Sequence, residues 1–402
     1  MDHRSAGKCR PFIAVLRGWQ AIALIGWVIA LPAGSATAAE LAPEPLNRVN
    51  TLPAKPDPHW LWVYDMVYDY MTDGRASLID GDSGRFLGML STGYSFTQLT
   101  LPRHHREIYS AETYYSRYTR GKRDDVVSIY SPTNLAPIAE IDIPDKRAST
   151  IPTPHNAVLT DDDRFMLIFN LTPATSVSVV DLPARRFVGE IETPGCALIY
   201  PSGPRRFFSL CGDGSLLAVE LDDAGTALST TRSQPFFDPE GDPLSEKGVR
   251  ANGVWHFVSF DGSLYRVDAR TAAPRFSPPV SLLSDAERAD GWRIGGVRHL
   301  AVHAASQRLF SIVHRGGGQE TRKDPGRHIW VYDLASLQRR GVIETRADTG
   351  LIALTQDAAP LLFTAAVARN AIDVYAADSG EFLRSVEQIG YTPTGIETPV
   401  GH

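Results

Sequence analysis

Residues 76–90 read Ala76-Ser-Leu-Ile-Asp-Gly-Asp-Ser-Gly-Arg-Phe-Leu-Gly-Met-Leu90. A short apolar run ends at Asp80, and a cluster of Gly, Asp and Ser follows it. Such a cluster turns the chain because Gly accepts a positive φ and because Asp and Ser hydrogen-bond their own backbone. The run from Arg85 to Leu90 then returns as a partner strand. The stretch therefore predicts a β-hairpin.

This strand and turn recur along the chain. The six further copies are Val126–Ser131, Val177–Asp181, Leu216–Glu220, Ser263–Asp268, His328–Asp333 and Ala371–Ala376. Their average spacing of about 49 residues is the length of one four-stranded propeller blade. No comparable series of amphipathic helical patterns separates the runs, which argues against a parallel α/β sheet. The sequence predicts an all-β fold, a seven-bladed β-propeller.

The length of the chain agrees with one large closed domain. Of its 402 residues, we assign 1–38 to a cleavable signal peptide, 39–59 to an N-terminal arm or linker and 60–402 to the propeller. A propeller can grow beyond the usual size of a single core because it adds sheets around an axis. Two separate domains are the alternative, and no linker-like interior stretch supports them.

The N-terminus has the three parts of an export signal. A basic segment precedes the apolar core Trp19–Leu31, and Ala36-Thr37-Ala38 fits the cleavage rule for small residues. A membrane anchor is the alternative, but the core has 13 residues, against the roughly 20 that span a bilayer. We therefore expect cleavage, a periplasmic protein and no membrane contact after cleavage.

Net charge argues against nucleic acid as a partner. The formal charge at pH 7 is −6, and loss of the signal with its four cations and one anion takes it to −9. Phosphate binding needs a concentrated basic face, which a mildly acidic protein lacks. We expect no nucleic-acid partner.

Two cysteines, Cys196 and Cys211, remain once the signal with Cys9 is removed. The residues between them read as strand, turn and strand, so a local hairpin could bring the two sulfur atoms together. In an oxidising periplasm such a pair predicts a disulfide. Two unpaired core thiols are the alternative. A redox-active pair fits less well because Cys-x-x-Cys spacing is absent.

No residue pattern marks a catalytic or metal site. Motifs for dinucleotide binding, phosphate binding, a nucleophilic serine or covalent haem attachment are absent. His299 and His303 lie four residues apart, but along a strand that spacing is about 13 Å, too far for one metal ion. The acidic segments Asp161–Asp163 and Asp238–Asp242 lack the ligand pattern of a calcium site. We expect no metal site and interpret both segments as turns or loops.

Two segments interrupt the blade pattern. Glu112–Asp125 places three tyrosines and four cations in what reads as one connection between strands. It is either a solvated loop or a partner-docking surface, because Tyr and Arg carry interface energy. Ser281–Gly296 contains Ser284 and Glu287 at capping-box spacing, which predicts a single short helix ending near Gly291. Propellers carry function on such excursions at one rim.

Several motifs resemble the heavy, or α, subunit of the tryptophan tryptophylquinone amine dehydrogenases, which act on methylamine or on aromatic amines. The resemblance runs from about Trp60 to the C-terminus. Its most specific motifs are Phe86–Met89 with Thr92–Tyr94, Arg117–Val127, Pro173–Ser176, Gly195–Cys196 with Cys211–Gly214, and Asp285–Gly296. The stretches Arg120–Val127, Pro173–Ser176 and His256–Ser259 are more similar to the aromatic amine branch, whereas Asp285–Trp292 is more similar to the methylamine branch. The balance leans slightly towards aromatic amines.

The resemblance implies a periplasmic α2β2 heterotetramer whose small subunit carries the tryptophan tryptophylquinone and the catalytic aspartate. This chain would then bind no cofactor alone and hold no catalytic residue. It would supply the scaffold, the subunit interface and part of the substrate channel. The implied reaction is oxidation of a primary amine to an aldehyde and ammonia. Electron transport would continue to a cupredoxin of the azurin or amicyanin type.

One channel residue follows from the resemblance. The family has an aromatic residue, usually Phe, at the channel mouth in the segment that Leu90–Tyr94 matches, so Tyr94 takes that place with an added hydroxyl. A blade-edge aromatic without substrate contact is the alternative. Two other functions stay open, a non-catalytic periplasmic binding propeller and a lactonase-type propeller hydrolase. The hydrolase would need polar or metal-binding residues that converge on the central channel, and no spacing marks them.

Overall fold

Seven antiparallel sheets form the part of the chain that the structure describes. The computed structural model describes residues 50–67, 71–150, 153–366 and 369–399. Within these ranges the prediction of an all-β, seven-bladed propeller is confirmed. The predicted signal peptide, residues 1–38, lies outside them. None of the helices in the described ranges is long and apolar enough to cross a membrane.

Twenty-nine strands make up the sheets in the described ranges. In chain order they are β1 (Trp60–Asp65), β2 (Arg75–Asp80), β3 (Phe86–Ser91), β4 (Leu99–Thr100), β5 (Ile108–Arg117), β6 (Arg120–Tyr130), β7 (Pro137–Ile143), β8 (Ala157–Leu159), β9 (Phe165–Asn170), β10 (Ser176–Asp181), β11 (Arg186–Glu192), β12 (Cys196–Gly203), β13 (Arg206–Cys211), β14 (Leu216–Leu221), β15 (Ala227–Arg232), β16 (Val249–Ala251), β17 (Val254–Val258), β18 (Ser263–Asp268), β19 (Arg275–Ser281), β20 (Arg293–Ile294), β21 (Leu300–His303), β22 (Arg308–His314), β23 (Gly326–Asp333), β24 (Arg339–Thr349), β25 (Leu351–Leu354), β26 (Leu361–Ala366), β27 (Ala371–Ala376), β28 (Phe382–Glu387) and β29 (Pro393–Glu397).

Helices are short and few in the described ranges. Two 3₁₀ turns span Pro154–Asn156 and Gln319–Thr321, and the α-helix α1 spans Asp285–Ala289. At the start of α1 the Ser284 hydroxyl accepts from the backbone N–H of Glu287, whose carboxylate accepts from the Ser284 N–H at 2.8 Å. The capping box and the short helix are therefore as the sequence predicts.

Each blade is an antiparallel ladder. The sheet orders are β29-β1-β2-β3, β4-β5-β6-β7, β8-β9-β10-β11, β12-β13-β14-β15, β16-β17-β18-β19, β20-β22-β23-β24 with β21 also on β22, and β25-β26-β27-β28. The seven runs that set the sequence period lie in the third strands, β2, β6, β10, β14, β18, β23 and β27. Strands β4, β8, β12, β16, β21, β25 and β29, one from each blade, line an axial cavity of about 200 Å³.

Burial explains why those third strands were visible in the sequence. The middle strands β9 and β10 are buried along their whole length, whereas the outermost strand β15 is exposed throughout. A middle strand packs against neighbouring blades on both faces, so it reads as an apolar run and not as an alternating pattern. Exposed outer strands carry no comparable signal.

The ring closes by pairing the two ends of the described chain. Strand β29 is the innermost strand of the blade that contains β1, with Trp62 opposite Glu397 and Val63 opposite Ile396. The Asp65 carboxylate accepts backbone N–H donors from Val67 at 2.8 Å and from Thr392 at 3.0 Å. The last strand of the propeller therefore completes its first blade.

The segment Glu112–Asp125 corrects the sequence prediction of a connection. Most of it is strand, because β5 and β6 pair from Ile108 opposite Tyr130 to Arg117 opposite Arg120. From Tyr114 to Asp124, this hairpin extends past the strands that flank it, β4 and β7. Both of its faces meet solvent there, so the polar composition that suggested a loop belongs to an extended hairpin.

Strand alternation places the unusual segments on one side of the propeller. In an antiparallel blade, the connections from second to third strand and from one blade to the next lie at the same end. We call this end rim A; it includes residues 92–98, 118–119, 193–195, 212–215, 282–292 and 388–392. The opposite end, rim B, includes residues 101–107, 160–164, 252–253, 304–307 and 355–360. Rim A therefore carries most of the distinctive motifs of the sequence.

Candidate functional site

Tyr94 lies in the rim A connection between β3 and β4. Its backbone N–H donates to the carbonyl of Thr113 in β5 at 2.8 Å. Gly93 has φ +76°, and a Cβ there would lie 2.8 Å from the same carbonyl. Glycine is required at this position because the conformation and the close approach to β5 both exclude a side chain. The close approach brings Tyr94 against the β5–β6 hairpin.

Neighbouring segments hold this connection from both sides. Its backbone hydrogen bonds are Gly74 N–H to Gly93 O at 2.7 Å, Thr92 N–H to Gly74 O at 2.7 Å, Ser95 N–H to Met71 O at 2.8 Å and Phe96 N–H to Ser149 O at 3.1 Å. Since these partners belong to different connections, the backbone around Tyr94 is fixed although it forms no regular strand. A fixed backbone limits the positions that the Tyr94 ring can take.

The Tyr94 ring packs on a second tyrosine. Its centroid lies 5.1 Å from that of Tyr115, and the two ring planes meet at 83°. Edge-to-face pairs of this kind are favourable because the positive edge of one ring meets the negative face of the other. Both side chains are half-buried. Together they form a small aromatic wall on rim A.

A buried polar cluster lies beneath this wall. The Asp125 carboxylate accepts from Thr113 Oγ1 at 2.7 Å, from Arg123 Nε at 2.9 Å and from the Arg147 N–H at 3.0 Å. The Arg147 side chain donates to Thr113 Oγ1 at 2.7 Å and to Thr97 Oγ1 at 3.2 Å. Burial lowers the pKa of Arg147 to about 10. The cluster joins the Tyr94 connection, the hairpin and the next blade.

Glu112 forms a second buried group on the same hairpin. It is fully buried and accepts hydroxyl donors from Tyr114 at 2.7 Å, Ser128 at 2.5 Å and Tyr130 at 2.9 Å. Burial raises the pKa of the Glu112 carboxyl above its usual value, although these hydrogen bonds act against the rise. The Tyr114 ring lies against Gly93, so Glu112 fixes a ring beside Tyr94.

The tip of the hairpin is exposed and basic. Tyr118 is 84% exposed and has φ +64°. Arg117 and Arg120 flank the tip, and no ion pair in the described ranges joins either of them to a carboxylate. An exposed tyrosine between two uncompensated arginines has the composition of a protein-binding surface.

The excursion around α1 is a second feature of rim A. The Trp292 ring lies 5.2 Å from those of Trp330 and His328. Arg339 bridges the excursion to its blade, donating to the Glu287 carboxylate at 2.6 Å while its guanidinium lies 4.1 Å from the Trp330 ring. Burial acts against ionisation of Glu287, but the cap and Arg339 together lower its pKa. The excursion is thus packed on its blade.

The disulfide predicted between Cys196 and Cys211 is confirmed. The two residues are directly opposite in the β12–β13 pair, and their sulfur atoms are 2.14 Å apart. Both lie at the rim A end of the blade and are almost fully buried. The bond closes a local hairpin.

We expect Cys196→Ala to lower the free energy of unfolding by about 3 kcal/mol, the chain-entropy effect of a loop of this length. Denaturant unfolding of periplasmic protein measures the loss. The paired variant Cys196→Ala/Cys211→Ala is the control, and it should lose a similar amount because the same cross-link is absent. Alkylation of either cysteine before reduction would contradict the assignment.

Comparison with the sequences of known proteins shows the family of this chain. The sequence profile for the methylamine dehydrogenase heavy chain (MADH) matches residues 58–399. The chain belongs to the methylamine dehydrogenase heavy chain family.

Two methylamine dehydrogenase heavy chains align with this chain over most of their length. The methylamine dehydrogenase heavy chain of Paracoccus versutus is 31% identical over 347 residues, which cover 85% of this chain and 80% of the relative. That of Methylorubrum extorquens is 30% identical over 371 residues, which cover 90% and 88%. Since both alignments span most of each protein, the resemblance extends well beyond local motifs.

Solved structures of distant proteins share the fold. A functionally unknown protein from Desulfotomaculum acetoxidans has a TM-score of 0.59 at 13% identity, covering 84% of this chain and 98% of its own. A dihydro-haem d1 dehydrogenase has a TM-score of 0.54 at 18% identity, covering 87% and 78%. At these identities the likeness concerns architecture alone.

In this heavy chain the histidines considered for a metal have separate polar partners. Nδ1 of His303 lies 2.7 Å from Ser306 Oγ, and its Nε2 lies 3.0 Å from the Asp357 carbonyl. His299 is buried, and this burial together with the Lys247 charge lowers the pKa of its imidazole to about 4. Its Nδ1 lies 3.3 Å from the Gly296 carbonyl.

Sequence reasoning missed a cluster that joins the N-terminal arm to two blades. Asp57, His59 and Asp82 bring possible metal-ligand atoms within 4.8 Å of one another in the described part of the chain. The His59 ring nitrogens lie 2.9 Å from Asp82 and 3.2 Å from Asp357, which is 298 residues away. Burial acts to lower the pKa of His59, but the two aspartates raise it. We interpret the cluster as a set of charged contacts that hold the N-terminal arm against the two blades.

Sequence reasoning also missed polar residues that meet at the axial cavity. They include Asp161, Lys247, Arg250, Arg298 and Glu397. Lys247 and Arg250 lie at one blade and the other three at different blades, so no single spacing along the chain could mark the set. Within the family they are a second region to consider besides rim A.

Proposed function

We propose that this chain is the heavy subunit of a periplasmic dehydrogenase that oxidatively deaminates primary amines to aldehydes and ammonia. Membership of the family supports the enzyme class. The observation that carries a role in the substrate channel is the Tyr94–Tyr115 pair on rim A, held by the surrounding backbone. In this proposal a small subunit carries tryptophan tryptophylquinone, and a cupredoxin of the azurin or amicyanin type accepts the electrons.

Rim A is the surface on which we place the small subunit, in an α2β2 assembly. Its hairpin tip offers Tyr118 with Arg117 and Arg120, and the excursion at α1 extends the same side. The disulfide stiffens this end of its blade. An interface of this kind needs exposed anchors on a rigid support, and rim A provides both.

The quinone of the small subunit would accept two electrons and two protons as a primary amine and water become an aldehyde and ammonia. This chain would act on access to that chemistry. Tyr94 and Tyr115 would shape the channel mouth and exclude water, while the Asp125 cluster keeps their supporting segments in place. A scaffold of fixed position contributes by orienting the substrate before reaction.

Aralkylamines are the slightly favoured substrates in this proposal, because an aryl ring can stack on the aromatic wall that Tyr94 and Tyr115 form. Methylamine is the second candidate, since the relatives at about 30% identity are named for it. The two substrates differ in the ring that would contact Tyr94, so their relative rates report on that residue.

We expect Tyr94→Ala to change the ratio of kcat/KM for phenethylamine to that for methylamine by roughly 10–200-fold, the range for one pocket contact. The physical reason is that loss of the ring changes the channel shape without altering the quinone. Steady-state kinetics of the assembled enzyme measure the ratio.

Tyr94→Phe is the matched control because it keeps the ring and removes the hydroxyl alone. The control should retain a ratio close to wild type, and the visible spectrum should be the same in all three proteins. Equal changes for both amines in Tyr94→Ala, or no change, would show that Tyr94 has only a scaffold role. Wild-type preference for methylamine would favour the second candidate substrate.

A further inference from the structure

The axial cavity is mainly apolar and large enough for a single-ring compound. Its volume is about 200 Å³, and its wall includes the apolar side chains of Leu99, Val158, Val249, Leu300 and Ile352. The indole of Trp255 also lines it, fixed by a hydrogen bond from Nε1 to the Pro201 carbonyl at 2.8 Å. An apolar cavity of about 150 Å³ holds benzene in another protein. Size and lining therefore suit a small organic molecule.

Most charged groups that line the cavity already have partners. Arg250 forms a two-point ion pair with Asp161, one contact being 2.8 Å. Lys247 is paired with Glu246. Glu397 accepts from Tyr64 Oη and from Gln98 Nε2, each at 2.7 Å. These groups would gain little from a charged ligand.

Arg298 differs from them. Its guanidinium carries five N–H donors, and its side-chain hydrogen bonding in the described ranges is a single Nη1 contact to the Ile396 carbonyl. No ion pair there joins Arg298 to a carboxylate, although Glu397 lines the same cavity. Its backbone is fixed, since it donates to the Gly350 carbonyl at 2.9 Å and accepts from the Ile352 N–H at 3.0 Å. Arg298 is therefore a partly buried cation with unused donors in the wall of a mainly apolar cavity.

We propose that this cavity binds a small organic monocarboxylate, with its carboxylate on Arg298 and its apolar body against Trp255 and the aliphatic wall. A planar guanidinium suits a carboxylate because two parallel N–H···O bonds can form at once. Arg298 forms no ion pair in the described ranges, so one carboxylate would be enough to pair with it. The apolar wall favours an organic acid over inorganic phosphate.

Residues from both rims lie at the edges of the cavity. Arg103 and Asp161 lie in the rim B connections 101–107 and 160–164 and line the cavity. Arg103 donates to the Asp161 carbonyl at 2.9 Å. Gln98 in the rim A connection 92–98 also lines the cavity, so the cavity reaches towards both rims. Binding is measured on this chain without the small subunit, so it does not depend on docking at rim A. The inference therefore stands apart from the proposed amine oxidation.

Calorimetric titration of the purified full chain with phenylacetate tests the proposal. We expect saturable binding of one equivalent in the submillimolar to millimolar range. Arg298→Gln should weaken it by roughly tenfold or more, since a hydrogen bond to a charged group is lost. Arg275→Gln, on the exposed outermost strand β19, is the matched control and should bind as wild type does.

Two further measurements separate the parts of the site. Val249→Phe narrows the cavity without touching Arg298, so it should weaken phenylacetate binding even if Arg298→Gln fails to fold. Inorganic phosphate and benzylamine should bind at least tenfold more weakly than phenylacetate. No saturation by 10 mM, an unchanged affinity in folded Arg298→Gln, or equal affinity for phosphate or benzylamine would overturn the proposal.

Discussion

Produced without a partner subunit, this chain is expected to be colourless and to oxidise no primary amine. The chemistry would belong to a quinone and a base on the small subunit, whereas this chain would contribute the aromatic wall and the proposed docking residues of rim A. Co-production with the small subunit should bring visible quinone absorbance and turnover on the order of 1–1000 per second, the usual enzyme range. Amine-dependent reduction of a dye measures it. Turnover by the purified single chain would refute the assignment.

Variants of the hairpin tip test whether rim A binds the small subunit. Arg117→Ser/Tyr118→Ser removes an exposed cation and ring from rim A and should lower the amount of small subunit that copurifies. Leu228→Ser changes a side chain that is 67% exposed on the outermost strand β15, away from rim A, and should have no such effect. Equal copurification of both variants would place the interface elsewhere.

We expect Asp125→Ala to lower the free energy of unfolding by about 3–5 kcal/mol, the cost of removing one partner from a buried charged group. The Asp125 side chain is fully buried, and its loss would leave buried Arg147 without this compensating carboxylate. The N–H of Arg147 would also lose its acceptor. Denaturant unfolding monitored by circular dichroism measures the change.

Asp124→Ala is the matched control for this loss. The Asp124 side chain is 48% exposed and pairs with the exposed Lys122. Solvent screens such a pair, so its removal should cost about 1 kcal/mol or less. Similar losses for the two variants would show that the Asp125 cluster does not stabilise the hairpin. A larger loss for Asp125→Ala would show that the polar cluster beneath Tyr94 also stabilises the blade.

Sequence by itself determined the features that a few neighbouring residues specify. The apolar runs and Gly/Asp/Ser turns predicted the hairpins and the blade period, because backbone preferences and burial on two faces act locally. The α1 cap could be predicted because Ser284 and Glu287 lie within one turn of helix. The Cys196–Cys211 bond could be predicted because both residues belong to one hairpin.

Tertiary structure alone decided the features that need distant segments to meet. Glu112–Asp125 reads as a loop until the pairing of β5 with β6 is known. Closure of the ring brings Tyr64 to Glu397, 333 residues apart, and no local pattern encodes such a contact. The axial cavity is likewise assembled from innermost strands of separate blades, so the surroundings of Arg298 are set only when the ring has closed. Chain spacing reports neighbours along the backbone, whereas these sites depend on how the blades pack around the axis.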